Sequence, residues 1–238
     1  MRGDTAQGAA VTAEGLGMDG PRGRVFHDVS LQAPPGALIA VRGPSGSGRT
    51  CLLLTLTGRM KPTTGRAEVA GHRLPRRAAA VRRISALGPV PSVTDPEPAL
   101  SVAEHLRERA LLEGRFAASP AAVLHPRRER ATARTRAHEA LAAAGLAPDS
   151  LERGLRTPVR DLERPAVFRL GVALALTASP RLLAVDDVGH KLSAAEHAAV
   201  WDLLRSLADR GITVLAVGEP PDGVEALTVR TGPDKEDV

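Results

Sequence analysis

A glycine-rich segment between a β-branched stretch and an apolar stretch constrains the fold of this 238-residue chain more than any other feature. Residues 43–50 have the sequence GPSGSGRT and match the pattern G-x-x-x-x-G-[K/R]-[S/T]. The preceding ALIAVR predicts a short buried strand over residues 37–42, and the following CLLLTLTGRM predicts a helix that ends at Gly58. A phosphate-binding loop requires this strand–loop–helix context. The segment therefore predicts an α/β fold that binds a phosphorylated ligand.

The chemistry of this loop depends on its glycines and on the two residues that follow the last of them. Glycines let the backbone turn its N–H groups toward a phosphate chain, and the helix N-terminus adds the positive end of its dipole. Thr50 supplies a hydroxyl that can ligate Mg²⁺. Arg49 stands where the pattern most often has Lys, and because a planar guanidinium on a longer stem fills the site differently, we expect phosphate binding with altered geometry. The candidate phosphate-binding residues are Gly43, Pro44, Ser45, Gly46, Ser47, Gly48, Arg49, Thr50 and Cys51.

A second candidate element is an apolar run that ends in two acids. LLAV at residues 182–185 predicts a buried strand, and Asp186 and Asp187 follow it directly. Ligand sites of α/β sheets lie at the carboxyl ends of the strands. We therefore expect Asp186 to hold Mg²⁺ together with Thr50, and Asp187 to stand where a general base would polarise the attacking water. The simpler alternatives are a glycine-rich turn without function and two solvated acids at a strand end.

The order of segments predicts an α/β fold with a mostly parallel sheet, because buried strands alternate with helical segments. The stretch from Ser101 to about Gly145 is helical in character and opens with the capping-box pattern of Ser101 and Glu104. We expect one domain over residues 1–238. Its core covers about 10–90 and 166–230, an inserted helical subdomain covers about 91–165, and a frayed tail covers 231–238.

Composition excludes several classes of function. The net charge is +5, but Arg is interspersed with Asp and Glu. Because aromatic residues make up only 2% of the chain, there is no platform on which bases could stack, and we expect no nucleic acid partner. The single cysteine, Cys51, cannot form an internal disulfide. No apolar run approaches the ~18–20 residues of a membrane span, so we expect a cytoplasmic chain that reaches a membrane only through another protein.

These motifs and the sequence around them resemble the ATP-binding subunit of ABC transporters. The resemblance extends from about Val25 to Val217 and is carried by VFHDVSLQAPPGALIAVRGPSGSGRTCLLLTLTG, TTGRAEVAGHRL, LSVAEHL, ASPRLLAVDD and DLLRSLADRGITVLAV. It implies a P-loop NTPase fold that binds ATP and Mg²⁺, with an N-terminal antiparallel β part and an inserted helical subdomain beside a mostly parallel core. It also implies a peripheral position at the inner face of the cell membrane. The implied partners are a membrane-spanning transporter subunit and a second ATP-binding subunit, identical or different, paired head to tail.

Several positions depart from the pattern of that family. The family's signature, LSGGQ, is replaced by LERPA at residues 162–166, which lacks the serine and both glycines. The glutamine expected near Ser92 is also missing, since Gln7 and Gln32 are both far away in sequence. The remaining departures are Asp187 at the position of the catalytic glutamate, Ser193 at that of the D-loop aspartate, Glu219 at that of the switch histidine, and Met18 near that of the aromatic residue that stacks on adenine.

The resemblance implies that the retained residues hold the β-phosphate and Mg²⁺, and that the replaced ones sense or cleave the γ-phosphate. Loss of a general base commonly lowers a rate by ~10²–10⁴-fold, so we expect ATP binding with impaired hydrolysis. The alternative is a non-hydrolysing pseudo-ATPase that acts as a regulatory or structural pairing partner. A third hypothesis is another P-loop class, such as a small-molecule kinase. It fits less well, because a helical insert of this kind between the loop and the acidic strand suits the ABC arrangement better.

Overall fold

The computed structural model of the chain describes residues 8–21, 23–116 and 126–232. Its contacts divide the chain into two compact units. The first unit combines the described parts of Met1–Val90 and Pro180–Val238, and the second is Pro91–Ser179. The second unit thus extends to Ser179, whereas the sequence places the end of the helical part near residue 165. Each unit has buried apolar side chains of its own.

The strands of the first unit form two sheets. In chain order they are β1 (Val11–Gly20), β2 (Gly23–Ala33), β3 (Leu38–Arg42), β4 (Thr64–Val69), β5 (His72–Leu74), β6 (Ser85–Leu87), β7 (Leu182–Val185), β8 (Thr213–Val217) and β9 (Leu227–Arg230). One sheet has the order β2-β1-β4-β5 and is antiparallel. The other has the order β6-β7-β8-β3-β9, and all its pairings are parallel.

The parallel sheet positions the candidate site because its strands point the same way. Residues of β7 and β8 are buried throughout, as expected for strands covered on both faces. The carboxyl ends of β3 and β7 therefore open on the same edge of the sheet. That edge carries the glycine loop after β3 and the two aspartates after β7.

Helices are distributed between the two units. The first unit contains α1 (Arg49–Leu56) and α2 (Ala78–Ile84), and the second contains α3 (Val102–Phe116), α4 (Pro126–Ala143) and α5 (Arg164–Leu176). Helix α6 (Ala194–Asp209) belongs to the first unit. No helix among the described residues is both long enough and apolar enough to cross a lipid bilayer.

Burial of apolar side chains fixes the elements beside the site. Leu52, Leu53 and Leu56 of α1 are fully buried in the same cluster as Phe26 of β2 and Ile39 of β3. Since burying a leucine side chain stabilises a fold by about 1.5–3 kcal/mol, this face anchors α1 against both sheets. The loop that precedes α1 therefore joins a buried strand to a helix whose apolar face is buried.

Candidate functional site

The loop at residues 43–48 joins β3 to α1, and its last glycine is fixed by geometry. Gly48 has a φ of +84°, and a Cβ at this position would lie 2.5 Å from the carbonyl oxygen of Val25. Both the left-handed backbone and the close approach of β2 therefore require glycine. Within the described ranges, no residue accepts a hydrogen bond from the N–H groups of positions 48–51. These donors at a helix N-terminus suit an anion such as phosphate.

The remaining loop residues form an exposed turn. Pro44, Ser45 and Gly46 are exposed, and the N–H of Ser47 donates to the carbonyl oxygen of Pro44 at 3.2 Å. Arg49 is half-buried, and in the described part of the chain no hydrogen bond or ion pair engages its guanidinium. An uncompensated cation beside open N–H groups favours an anionic ligand at this loop.

Thr50 and Asp186 are brought together as the sequence predicts. The Thr50 hydroxyl donates to Oδ2 of Asp186 at 2.5 Å, although the two residues are 136 positions apart in the chain. Asp186 is only 7% exposed. Its Oδ1 accepts from the N–H of Asp187 at 2.8 Å, and its own N–H donates to the Pro89 carbonyl oxygen at 2.8 Å. These contacts hold the carboxylate against the first turn of α1.

The hydroxyl of Thr50 and the carboxylate of Asp186 are oxygen ligands of the kind that Mg²⁺ prefers. Among the described residues, no group of three or more His, Cys, Asp or Glu side chains could hold a metal ion by itself. Mg²⁺ usually keeps several waters and shares its ligands with substrate phosphates, so one carboxylate and one hydroxyl fit such a shared site. The donor set therefore suits Mg²⁺ that arrives with a nucleotide.

Cys51 lies in the first turn of α1 and is half-buried. Burial raises the pKa of the Cys51 thiol, and the negative charge of Asp186 raises that pKa further. Both effects favour the neutral thiol over the thiolate, which is the nucleophilic form. The side chain packs against the apolar cluster of the first unit.

Asp187 differs from Asp186 in backbone conformation and in the exposure of its side chain. Its φ is +53°, which is uncommon for a residue other than glycine. Its Oδ2 lies 3.8 Å from Nδ1 of His190, and its side chain is 47% exposed. The carboxylate of Asp187 is therefore in contact with a surface histidine, whereas that of Asp186 is buried against the loop.

Glu219 follows β8 and is paired with the residue that precedes the loop. Its Oε2 accepts a hydrogen bond from Nε of Arg42 at 2.7 Å, and the two side chains form an ion pair. Arg42 is the last residue of β3, directly before Gly43. The acid at this position thus neutralises a cation at the base of the loop.

Ser193 has a clear structural role, since it is the N-cap of α6. Its hydroxyl accepts from the N–H of Glu196 at 3.3 Å, and Oε2 of Glu196 accepts from the N–H of Ser193 at 2.7 Å. This reciprocal capping box satisfies two backbone donors at the helix start. The backbone N–H and then the hydroxyl of Ser193 lower the pKa of the Glu196 carboxyl, which keeps it ionised as a hydrogen-bond acceptor.

In the second unit, Ser92 and residues 162–166 were identified by the sequence as departures. Ser92 has a φ of +63°, and its N–H donates to Oδ2 of Asp95 at 2.7 Å. Glu163 is the N-cap of α5 and makes no side-chain capping hydrogen bond. Pro165 lies in the first turn of α5 and has no N–H to offer. This helix start therefore carries an exposed acid and lacks one of its usual donors.

The aromatic position near Met18 offers no stacking surface. Met18 lies in β1 opposite Phe26 of β2, and both side chains are buried in the core. Neither can therefore stack on an exposed adenine.

The structure adds residues to the site that sequence reasoning does not identify. Arg42 and Thr231 contact the loop or its base, Pro89 fixes the backbone of Asp186, and His190 contacts Asp187. Thr231 lies in the stretch that the sequence assigns to a frayed tail, but it is buried and hydrogen-bonded; residues 233–238 of that stretch lie outside the described residues. Only the pairing of β9 with β3 brings Thr231 to the loop, and the sequence shows no signal for this strand.

Comparison with known families supports the resemblance to the ATP-binding subunits of ABC transporters. The family model for ABC transporters matches residues 26–188. The daunorubicin/doxorubicin resistance ATP-binding protein DrrA of Streptomyces peucetius is 30% identical over 87% of this chain and 57% of its own length. The Nod factor export ATP-binding protein I of Cupriavidus pinatubonensis is 31% identical over 80% of this chain and 53% of its own length. The chain thus spans about half to three fifths of these relatives.

Solved structures confirm the predicted fold class. A dimeric ATP-binding cassette in a post-hydrolysis state with ADP and Pi matches with a TM-score of 0.66 at 23% identity, covering 88% of each chain. The structure of cbiO1 from Clostridium perfringens, part of an ABC transporter complex, matches with a TM-score of 0.70 at 17% identity, covering 94% of this chain and 86% of that one. The chain therefore belongs to the ABC transporter family and has the fold of its ATP-binding cassettes.

Proposed function

We propose that the chain binds ATP with Mg²⁺ at the loop of residues 43–51, together with Thr50 and Asp186, and that its hydrolysis of ATP is impaired. The observation that carries the binding proposal is the 2.5 Å hydrogen bond between Thr50 and Asp186. It joins the hydroxyl of the loop to the buried acid of β7, so that both oxygen ligands face one position. Arg49 and the N–H groups at the start of α1 would hold the phosphates.

Impaired hydrolysis is supported by the surroundings of Asp187 and Glu219. A general base must reach the attacking water, but the Asp187 carboxylate contacts His190 and is one methylene shorter than glutamate. Glu219 is paired with Arg42, and an ionised acid at the position of the family's switch histidine has no hydrogen to donate to a γ-phosphate.

The relatives' names indicate the kind of assembly in which such a chain would act. DrrA is an ATP-binding protein of drug resistance, and the Nod factor protein is an ATP-binding protein of export. We propose that this chain likewise pairs with a second ATP-binding subunit, identical or different, and couples pairing to a separate membrane-spanning subunit involved in export. It would then lie at the cytoplasmic face of the membrane.

The alternative function is that of a non-hydrolysing partner that regulates by pairing alone. It is favoured by Glu163 and Pro165, which give α5 an exposed acid and remove an N–H donor at the position where the family presents a phosphate-binding signature. Light scattering with and without ATP·Mg separates the two functions. Pairing that requires ATP favours the transporter subunit, and pairing that ignores ATP favours the regulatory partner.

The decisive experiment is an ATP·Mg titration with a parallel hydrolysis assay on wild type, Arg49→Lys and Asp187→Ala. We expect wild type to bind ATP·Mg, and Arg49→Lys to bind about three- to tenfold more tightly, because a compact ammonium fits a phosphate cradle better than a guanidinium. Hydrolysis should change little in Asp187→Ala. The matched control is Arg83→Lys, the same substitution at an exposed residue of α2.

Two results would contradict the proposal. Absence of ATP·Mg binding in both wild type and Arg49→Lys would show that the loop is not a nucleotide site. Rapid steady-state hydrolysis that disappears in Asp187→Ala would show that Asp187 is an effective general base and that hydrolysis is intact.

A further inference from the structure

The residues that follow β9 contact the phosphate-binding loop from outside the motif. β9 pairs in parallel with β3, with Arg230 opposite Arg42, so that Thr231 lies beside the first residue of the loop. Thr231 is 1% exposed, and its N–H donates to the carbonyl oxygen of Arg42 at 2.9 Å. Its hydroxyl oxygen lies 2.7 Å from the hydroxyl oxygen of Ser47, in the middle of the loop.

The hydroxyl of Thr231 has two partners at the loop. It lies 3.3 Å from the carbonyl oxygen of Arg42 and 2.7 Å from the hydroxyl oxygen of Ser47. In the shorter contact either hydroxyl can be the donor, since each has one hydrogen and can also accept. Thr231 thus connects two points of the chain, the residue before the loop and the residue in its middle.

Close packing around this contact leaves the loop little freedom on that side. A Cβ at Gly43 would lie 2.7 Å from the hydroxyl oxygens of both Ser47 and Thr231. A Cβ at Gly232 would lie 3.3 Å from Cβ of Ser47 and 3.7 Å from Cδ of Pro44. Thr231 and Gly232, which follow β9, therefore both pack closely against the loop.

We propose that Thr231 is a positioning residue for phosphate binding, an inference that rests on the proposed function of the loop. It acts through Ser47 and does not touch the nucleotide. By fixing Ser47 relative to Arg42, it holds the turn between them in the conformation that presents the N–H groups before α1. A loop that is ordered before binding loses less conformational freedom when the phosphate arrives, so the contact raises affinity.

The test uses Thr231→Val, which keeps the branched shape and removes the hydroxyl, and Thr231→Ser, which restores it. One hydrogen bond is worth about 0.5–1.5 kcal/mol, so we expect Thr231→Val to weaken ATP·Mg binding about three- to tenfold, and Thr231→Ser to bind like wild type. Without nucleotide, the Ser47 amide, which donates to the carbonyl oxygen of Pro44 within the loop, should exchange about three- to tenfold faster in Thr231→Val. Ser47→Ala combined with Thr231→Val should add little to either single substitution.

The matched control is Thr228→Val, the same change at an exposed position of β9. It should leave both affinity and exchange in the loop unchanged. An exchange rate in Thr231→Val equal to that of wild type would overturn the inference, whatever the affinity. A merely structural role would lower the unfolding temperature without a selective effect on the loop, and this result would also overturn it.

The exchange measurement also separates this inference from the proposed function. If wild type does not bind ATP·Mg, the proposed function fails, and exchange in the loop alone decides whether Thr231 orders it. If wild type binds and Thr231→Val binds equally well, the proposed function stands and the positioning role fails.

Discussion

The two aspartates that end β7 are adjacent in sequence but have opposite environments. Asp186 is buried, accepts from Thr50 and from the N–H of Asp187, and faces the loop. Asp187 is half-exposed in a left-handed backbone conformation and contacts His190. The first carboxylate is buried and fixed by hydrogen bonds, and the second is a half-exposed surface acid. Under the proposed function, the residue that would hold Mg²⁺ and the residue at the position of the general base are therefore neighbours with different environments.

The same contrast extends to other positions where this chain departs from its family. Ser193 caps α6, and Glu219 neutralises Arg42, so each replacement has a structural use. By contrast, Gly48 has a left-handed backbone conformation and Thr50 contacts Asp186, which is the geometry that the proposed binding of phosphate and Mg²⁺ needs. Under that proposal, the residues that would hold phosphate and Mg²⁺ are present, whereas Ser193 and Glu219 serve the scaffold.

The largest expected effect comes from Asp186, the buried aspartate of the pair. Asp186→Asn keeps the shape of the side chain but removes its charge. Because a hydrogen bond or ligand contact to a charged group is worth about 1.5–3 kcal/mol, we expect ATP·Mg binding to weaken about 10–100-fold. Calorimetric titration with ATP in the presence of Mg²⁺ and of a chelator measures the effect. In the chelator this loss should disappear, and Asp186→Asn should bind ATP at least as tightly as wild type, because removal of a nearby negative charge strengthens anion binding.

Asp202→Asn is the control, because Asp202 is an exposed aspartate of α6. It should bind ATP·Mg like wild type. Equal affinities for Asp186→Asn and wild type in Mg²⁺ would show that Asp186 does not hold the ion, and the contrast with Asp187 would then have no functional meaning.

A smaller effect, on the free energy of unfolding, is expected at Ser193, which caps α6 at the position of the family's D-loop aspartate. Ser193→Ala should lower the free energy of unfolding by about 0.5–2 kcal/mol, as measured by urea denaturation at pH 7. Ser193→Asp should retain the stability of wild type, because aspartate and serine are equally good N-caps. Ser206→Ala in the same helix is the control and should have little effect. Equal losses in the Ala and Asp variants would contradict the capping role.

The pH dependence of this cap follows from the lowered pKa of Glu196. A carboxyl whose pKa is lower in the folded state stabilises the fold above its unfolded value of about 4.3, and this stabilisation is lost as the pH falls through the folded value. The difference between wild type and Ser193→Ala should therefore shrink between pH 7 and about pH 3.5. A constant difference over this range would show that Glu196 takes no part in the cap.

Strong local signals allowed much of the fold to be predicted from sequence. The apolar runs ALIAVR and LLAV predict β3 and β7 directly, and the capping pattern of Ser101 and Glu104 predicts the start of α3, since period and caps are local properties. β1 and β9 were not identified individually. β1 contains three glycines and several register shifts, and β9 has only four residues, so both depend on pairing with distant strands.

The candidate site could be predicted to a similar extent. The contact between Thr50 and Asp186 followed from motif and topology, because the carboxyl ends of parallel strands share an edge. The contacts of Arg42 and Thr231 could not, because they join residues 177 and 184 positions apart without any motif. Such contacts depend on the register of β8 and β9, which a single sequence does not reveal.

The smallest effect is expected at Glu219, whose pairing with Arg42 is partly exposed. The side chains of Arg42 and Glu219 are 31% and 62% exposed, and ion pairs in such positions contribute at most about 1 kcal/mol. Glu219→Gln should therefore lower the free energy of unfolding by less than about 1 kcal/mol, and the difference from wild type should shrink in 1 M NaCl, where the Debye length is only ~3 Å. Urea denaturation at low and high salt measures both effects.

The control is Glu225→Gln, at an exposed acid in the loop before β9. The difference between its free energy of unfolding and that of wild type should not change with salt. ATP·Mg affinity should be the same in Glu219→Gln as in wild type if Glu219 serves only Arg42. A gain in affinity of threefold or more would instead place its charge close to the phosphates, since removal of a nearby negative charge strengthens anion binding. That result would show that Glu219 belongs to the binding site and does not serve only as the partner of Arg42.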